Sequence, residues 1–367
     1  MATPPFRADH VGSLLRPPEL KQAREAFKAG RLSREKLAEV EDASIKKAIA
    51  LQEAAGLQSV TDGEFRRAFW HVDFLTGFDG IAATQGQYAL KFHGEGGAES
   101  ETRSMMVVDG KVRRSRPIAV QSFEFLKNNT ERTAKLCIPA PTYLHMRGGR
   151  KVVNEKAYPD VEEFWRDIAL AYRQEIAELA RAGLEYLQID DVSFACLCDE
   201  GIRAQVRRDG EDPAGLPARY VQVINSLIGG RPRSLSVTLH TCRGNHASMW
   251  MAEGGYDAVA EAVFQTQVDG FFLEYDTARA GGFEPLRFVP KGKKVVLGLV
   301  STKTPVLESR DLLKRRVAAA ARHVPPENLC LSPQCGFASS EVGNQLTVDD
   351  QKRKLELVVE TAREIWG

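Results

Sequence analysis

The sequence has little of what marks a secreted, membrane-spanning or nucleic-acid-binding chain. Six cysteines in 367 residues fall far short of a disulfide scaffold, so reduced thiols and a cytoplasmic location are expected. No apolar run approaches the ~18 residues that a spanning helix needs. The opening stretch carries no apolar core followed by a small-residue cleavage site, so no secretory signal is read. Lys and Arg number 50 against 49 Asp and Glu, a formal net charge of +1. No basic excess points to nucleic acid, and no like-charge block points to a tail. No low-complexity segment or Pro/Gly/Ser linker divides the chain. No GxGxxG follows an expected strand and no GxxxxGK[ST] occurs, so dinucleotide and P-loop readings fall.

What is present suits a folded α/β protein. The chain is 43 % hydrophobic, and at this length it buries about three quarters of its unfolded surface without staples. Helical periodicity predicts helices over 33–56 and 161–183, and near 216–229, 254–267, 309–323 and 348–366. Short β-rich runs lie between them at 57–61, 134–138, 185–189, 234–239, 269–273, 294–299 and 328–331. A further run just before Val11-Gly12-Ser13 makes eight. Eight β/α repeats predict a TIM (β/α)8 barrel, with 1–367 as one catalytic domain. Residues 81–130 break the alternation and are expected to form a small β-rich insertion after the second strand. Within it, 105–112 reads as a hairpin turning at Asp109-Gly110.

A barrel carries its chemistry at the C-terminal ends of its strands. In chain order those ends hold Gly12 and Ser13; Asp62 and Glu64; Pro141 and Thr142; Asp190 and Asp191; His240 and Cys242; Glu274; Ser301 and Lys303; and Cys335. In His240-Thr241-Cys242 the imidazole and thiol stand at i and i+2, on one side of a strand end, where both can ligate zinc. Read singly, Cys335 is a buried small hydrophobe and Glu274 a rim salt bridge. Cys196 and Cys198 form a second i,i+2 pair with no accompanying histidine.

Taken together, VGS (11–13), DGEF (62–65), QIDD (188–191), HTC (240–242), FLEY (272–275) and SPQCG (332–336) resemble the catalytic barrel of cobalamin-independent methionine synthase. The likeness runs from residue 9 to about 345, with the motifs in the family's order. It implies zinc held by His240, Cys242, Glu274 and Cys335. It further implies homocysteine held by Gly12 and Ser13 at its carboxylate, and by Glu64 and Asp190 at its ammonium. Asp190 and Lys303 are the residues assigned to catalysis. Zinc keeps a coordinated thiol deprotonated, so the implied reaction is transfer of a methyl group to the homocysteine thiol, forming methionine. The implied partners are this thiol and a methyl donor, with neither nucleic acid nor membrane; a homo-oligomer is left open.

The sequence departs from the family pattern in three places. Lys303 stands where the family places a proton-shuttling histidine. Lysine's reference pKa of about 10.4 suits an electrostatic anchor better than a shuttle unless it is buried. The pterin-stacking tryptophan is missing from 139–146, where Tyr143, or Trp70 from elsewhere, would have to compensate. The family's full-length enzyme also has an N-terminal barrel with no counterpart in this sequence. These departures bear on the donor, folate-like or otherwise, more than on the thiol. Two other readings remain open: alkyl transfer to a sulfonate thiol, as in epoxyalkane:coenzyme M transferases, and a metal-free barrel resembling uroporphyrinogen decarboxylase, or a binding module. The carboxylate pair speaks against the sulfonate thiol, which has no ammonium to bind.

Overall fold

The computed structural model describes residues 3–367. Its core is a parallel sheet of seven strands in chain order: β1 (Ser59–Val60), β4 (Thr133–Pro139), β5 (Tyr186–Asp191), β6 (Ser236–Thr241), β7 (Gly270–Glu274), β8 (Lys294–Val300) and β9 (Leu329–Pro333). Between β1 and β4 lie β2 (Asp79–His93) and β3 (Glu99–Arg113), which form a separate antiparallel pair.

The open edges of the seven-stranded sheet meet across the N-terminal segment. Ala8 bridges Leu331 in parallel, and Asp9 N–H donates to the Leu331 carbonyl at 3.0 Å. On the other side Leu14 N–H donates to the Gly63 carbonyl at 3.1 Å, and Thr61 Oγ1 donates to the Gly12 carbonyl at 2.6 Å. Residues 7–13 therefore act as the eighth stave, and the fold is the expected TIM barrel.

Helices cover the outside because their apolar stripes match the outward faces of the strands. Helix Val161–Arg181 starts where Asp160 accepts from Glu162 N–H, and it buries Phe164, Ile168, Tyr172 and Ile176. Helix Val348–Trp366 begins with a capping box of Thr347 and Asp350. Among the described residues no helix is long and apolar enough to cross a membrane.

Three expectations need correction. The insertion is a hairpin, but it turns at 94–98, where Gly94 N–H meets the Ala98 carbonyl and Gly96 and Gly97 take positive φ. Asp109-Gly110 lies inside β3, opposite a register shift between Asp79 and Ile81. A Cβ at Gly80 there would lie 2.5 Å from the Lys111 carbonyl and 2.7 Å from the Gly110 carbonyl, so Asp109-Gly110 sits at a close strand crossing and not at a turn. Secondly, residues 81–130 are not β-rich throughout, because 120–127 forms a helix (Val120–Lys127). Thirdly, 254–267 is not one helix but a short 3-10 turn, Tyr256–Ala258, followed by one α-turn, Ala260–Val263.

Candidate metal centre

Strand alternation determines which side chains reach the barrel mouth. Along β5, Tyr186, Gln188 and Asp190 face inward, where Gln188 Nε2 donates to both the Val11 carbonyl and Asp190 Oδ1 at 2.7 Å. Asp191 faces outward. It accepts from Phe194 N–H at 2.9 Å and from the Thr142 hydroxyl, as a capping acid does. The two neighbouring acids therefore have different work.

The last inward residues of β6 and β7, with the turns after β6 and β9, bring His240, Cys242, Glu274 and Cys335 together. Their ligand atoms all lie within 4.8 Å of one another, and all four side chains are buried. The two sulfurs stand 3.6 Å apart. Both nitrogens of His240 and Glu274 Oε2 have no hydrogen-bond partner. Burying such atoms unpaired costs free energy. Four convergent soft and borderline donors with orphaned lone pairs fit a metal ion, and the set of two sulfurs, one imidazole and one carboxylate fits zinc.

The electrostatics push the two thiols of the quartet in opposite directions, Cys242 down and Cys335 up. The hydrogen bond from Cys335, followed by His240, holds the Cys242 thiol well below its usual range against the opposing effect of burial. Burial, then the Cys242 charge, pushes the Glu274 carboxyl up to about 7. Supporting contacts come from the turn after Cys242. Asn245 Nδ2 donates to Glu274 Oε1 at 2.5 Å and to Cys242 Sγ at 3.5 Å, and Arg243 N–H donates to Glu274 Oε1 at 3.0 Å. Sequence reading missed Asn245; its place three residues after Cys242, in the same post-strand turn, was the available signal.

A second cluster adjoins the first. Glu64, Cys137 and Asp190 also have ligand atoms within 4.8 Å of one another. Cys137 donates its thiol proton to the Val11 carbonyl at 3.1 Å, which leaves two carboxylates facing the cavity. Burial raises Glu64 to about 7 and Asp190 to about 6. Arg67, 3.7 Å from Glu64 Oε2, opposes the shift of Glu64. Glu64 has a φ of 60°, a strained backbone that fixes where its carboxylate points.

Ser13 lines the cavity, whereas Gly12 does not. A Cβ at Gly336 would lie 1.9 Å from Ser13 Oγ, so only glycine lets the Cys335 turn pass the first stave. Val11, Ser13, Glu64, Asp190, His240, Cys242 and Cys335 line one cavity. Lys303 does not line it: its ammonium donates to Asp276 Oδ2 at 2.8 Å in a buried ion pair. Cys196 and Cys198 join no metal-binding cluster among the described residues.

The family model for the cobalamin-independent synthase catalytic domain matches residues 6–364. The chain belongs to that family. Among curated relatives, the uncharacterised proteins YxjH and YxjG of Bacillus subtilis are 44 % and 42 % identical, each over 99 % of this chain and 95 % of their own. A 5-methyltetrahydropteroyltriglutamate–homocysteine methyltransferase of Thermotoga maritima is 24 % identical over 91 % of this chain, which spans only 42 % of that protein. A Listeria monocytogenes structure, described as a candidate vitamin-B12 independent methionine synthase, superposes over both whole chains at TM-score 0.80 and 35 % identity. Family membership agrees with the resemblance carried by the motifs. This cobalamin-independent synthase barrel thus presents a candidate His/Cys/Glu/Cys metal site beside a carboxylate pair.

Proposed function

We propose that the chain is a zinc-dependent methyltransferase that methylates the thiol of homocysteine to give methionine. The observation that carries this reading is the buried quartet of His240, Cys242, Glu274 and Cys335, with its unpartnered lone pairs, set beside Glu64 and Asp190 in one cavity. Zinc, when bound, supplies the Lewis acidity that keeps a substrate thiol deprotonated near neutral pH. The chain's own residues do the positioning. Glu64 and Asp190 bracket a cation, the ammonium of the amino acid. Ser13 and the backbone at Gly12 offer donors to its carboxylate. Asn245 holds one oxygen of Glu274, and the other, which has no hydrogen-bond partner, would be the one to hold the metal. The printed name of the Thermotoga relative, which gives homocysteine as a substrate, agrees with this reading.

The carboxylate pair disfavours a sulfonate thiol as acceptor, since that thiol brings no cation. The test uses protein loaded with cobalt in place of zinc. Homocysteine should shift the cobalt–thiolate absorption and release about one proton per site. A thiol without the amino group should bind much more weakly. Stoichiometric metal with no spectral response to homocysteine would overturn the proposal.

A further inference from the structure

The turns that follow the first, second and last staves of the barrel carry Ser13, Glu64 and Cys335, and one side chain ties all three together. Arg16 is 3 % exposed. Its Nη1 donates to the Ala338 carbonyl at 2.5 Å and to the Leu14 carbonyl at 3.3 Å. Its Nη2 donates to the carbonyls of Glu64 at 2.9 Å and Arg67 at 3.2 Å. We propose that Arg16 is a positioning residue for amino-acid recognition: its fork holds the Glu64 turn in the backbone conformation that aims the Glu64 carboxylate at the substrate ammonium. The proposal rests on the reading of Glu64 and Asp190 as the clamp for that ammonium, and adds what sets the clamp at a fixed place from Cys335.

Three observations carry it. The first is strain. Gly63 and Glu64 are both left-handed, with φ of 68° and 60°. Phe65 N–H donates to the Asp62 carbonyl at 3.3 Å, which closes a two-residue turn of the I′ kind. Glycine takes such φ freely, whereas glutamate holds it only where its surroundings impose it. A rotation about φ moves the carbonyl and the side chain of a residue together. A donor fixed on the Glu64 carbonyl therefore fixes the carboxylate as well.

The second is how the three turns are anchored. Two have main-chain ties of their own: Phe337 N–H donates to the Ser13 carbonyl at 2.9 Å, Asn344 N–H to the Phe337 carbonyl at 3.0 Å, and Leu15 N–H to Gln351 Oε1 at 2.8 Å. Around Glu64, Leu14 N–H and Arg24 hold the flanking carbonyls of Gly63 and Phe65. The Glu64 N–H is spent on Asp62 Oδ1, and its carbonyl accepts from Arg67 N–H at 3.0 Å. Among the described residues, Arg16 is thus the one group from beyond 62–67 that bonds the Glu64 main chain.

The third is charge. All four hydrogen bonds of Arg16 end on main-chain carbonyls, and burial lowers its guanidinium only to about 10. A full positive charge therefore stands behind Glu64 at neutral pH. Burial raises the Glu64 carboxyl, and Arg67 followed by Arg16 opposes it. That opposition favours the carboxylate form, which an ammonium needs.

The test titrates the cobalt-loaded protein with homocysteine and with 4-mercaptobutyrate, which is homocysteine without its amino group. Arg16→Lys keeps the charge and loses the fork. It should weaken homocysteine about 10-fold or more, the scale of a displaced charge-assisted hydrogen bond, with 4-mercaptobutyrate affinity and metal stoichiometry unchanged. Arg16→Gln, which loses the charge too, should show the same selectivity and a larger loss. In a Glu64→Gln background, Arg16→Lys should cost homocysteine little more, because the carboxylate it aims is gone. Unchanged homocysteine affinity in Arg16→Lys, equal losses for the two thiols, or losses that add in the double variant would each overturn the proposal. A native protein whose cobalt spectrum ignores homocysteine would overturn the methyltransferase reading itself, and this inference with it.

Discussion

The barrel holds two buried polar clusters, one below the other, and they differ in how their charges are met. At the floor, Asp9 accepts from Phe6 N–H, His10 N–H, the Ser59 and Tyr186 hydroxyls and Lys135. Lys135 is fully buried, donates to the His10 carbonyl as well, and lies 4.2 Å from the Phe272 ring centre. At the mouth, His240 has no partner on either nitrogen, and Glu274 Oε2 and Glu64 Oε2 accept no hydrogen bond. A buried cluster that satisfies itself ties strands together. One that leaves lone pairs open is arranged for something that is not protein.

The largest effect should come from the open cluster. Cys242→Ser and Cys335→Ser each remove a thiolate ligand, so zinc affinity should fall by more than the ~100-fold that loss of a supporting contact causes. Methyl transfer should fall below detection. The barrel should stay folded, because its core does not depend on the site. Metal analysis and circular dichroism check both halves; full metal stoichiometry in either variant would break the comparison.

The closed cluster should respond in the opposite way. Lys135→Met leaves Asp9 without its counter-charge, and breaking a buried pair costs about 3–5 kcal/mol. Urea unfolding should show that loss, while protein that remains folded still binds metal. A variant of unchanged stability would mean that the floor is not structural.

A smaller effect separates the carboxylates from the metal ligands. Asp190→Asn should weaken homocysteine roughly 10- to 100-fold, the scale of one charge-assisted hydrogen bond, with little effect on a thiol lacking the amino group. Glu64 adds a pH signature. Its carboxyl is pushed up to about 7 from 4.5, so the native state binds this proton more tightly than the unfolded chain does. Its contribution to the stability of the unliganded protein is therefore present at low pH and lost as pH rises from 4.5 through 7. Glu64→Gln should flatten that part of the stability–pH curve. An unchanged slope would show that Arg67 already neutralises the group.

The contrast also explains what could be read in advance. Strand ends are local signals, so His240 and Cys242 stand out by type and by position after a β-run, Glu274 and Cys335 gain a role only through the family motifs around them, and the barrel follows from the repeat. The floor was invisible because Asp9, Lys135 and Tyr186 lie more than 40 residues apart in sequence and each looks ordinary in its own segment. Asp109-Gly110 misled because the same dipeptide serves a tight turn and a close strand crossing, and only the partner strand decides between them. Lys303 was rightly placed at a strand end, but its partner Asp276, on another stave, takes it out of the cavity.

The finest division lies within the mouth, between ligands and the residue that steadies them. Asn245 touches Glu274 Oε1 and Cys242 Sγ through one amide nitrogen, while its Oδ1 has no partner. Asn245→Ala would leave Glu274 Oε1 with the Arg243 N–H alone. The carboxylate would then lose its fixed orientation while keeping its charge. Zinc affinity, measured by competition with a chelator, should fall about 10-fold, the lower end for a supporting contact. Homocysteine affinity should change less, because the amide contacts Glu274 and Cys242 and not the Glu64–Asp190 pair that would hold the amino acid. If Asn245→Ala weakens homocysteine more than zinc, the amide contacts the substrate instead, and the line between ligand support and substrate binding has to be redrawn at this residue.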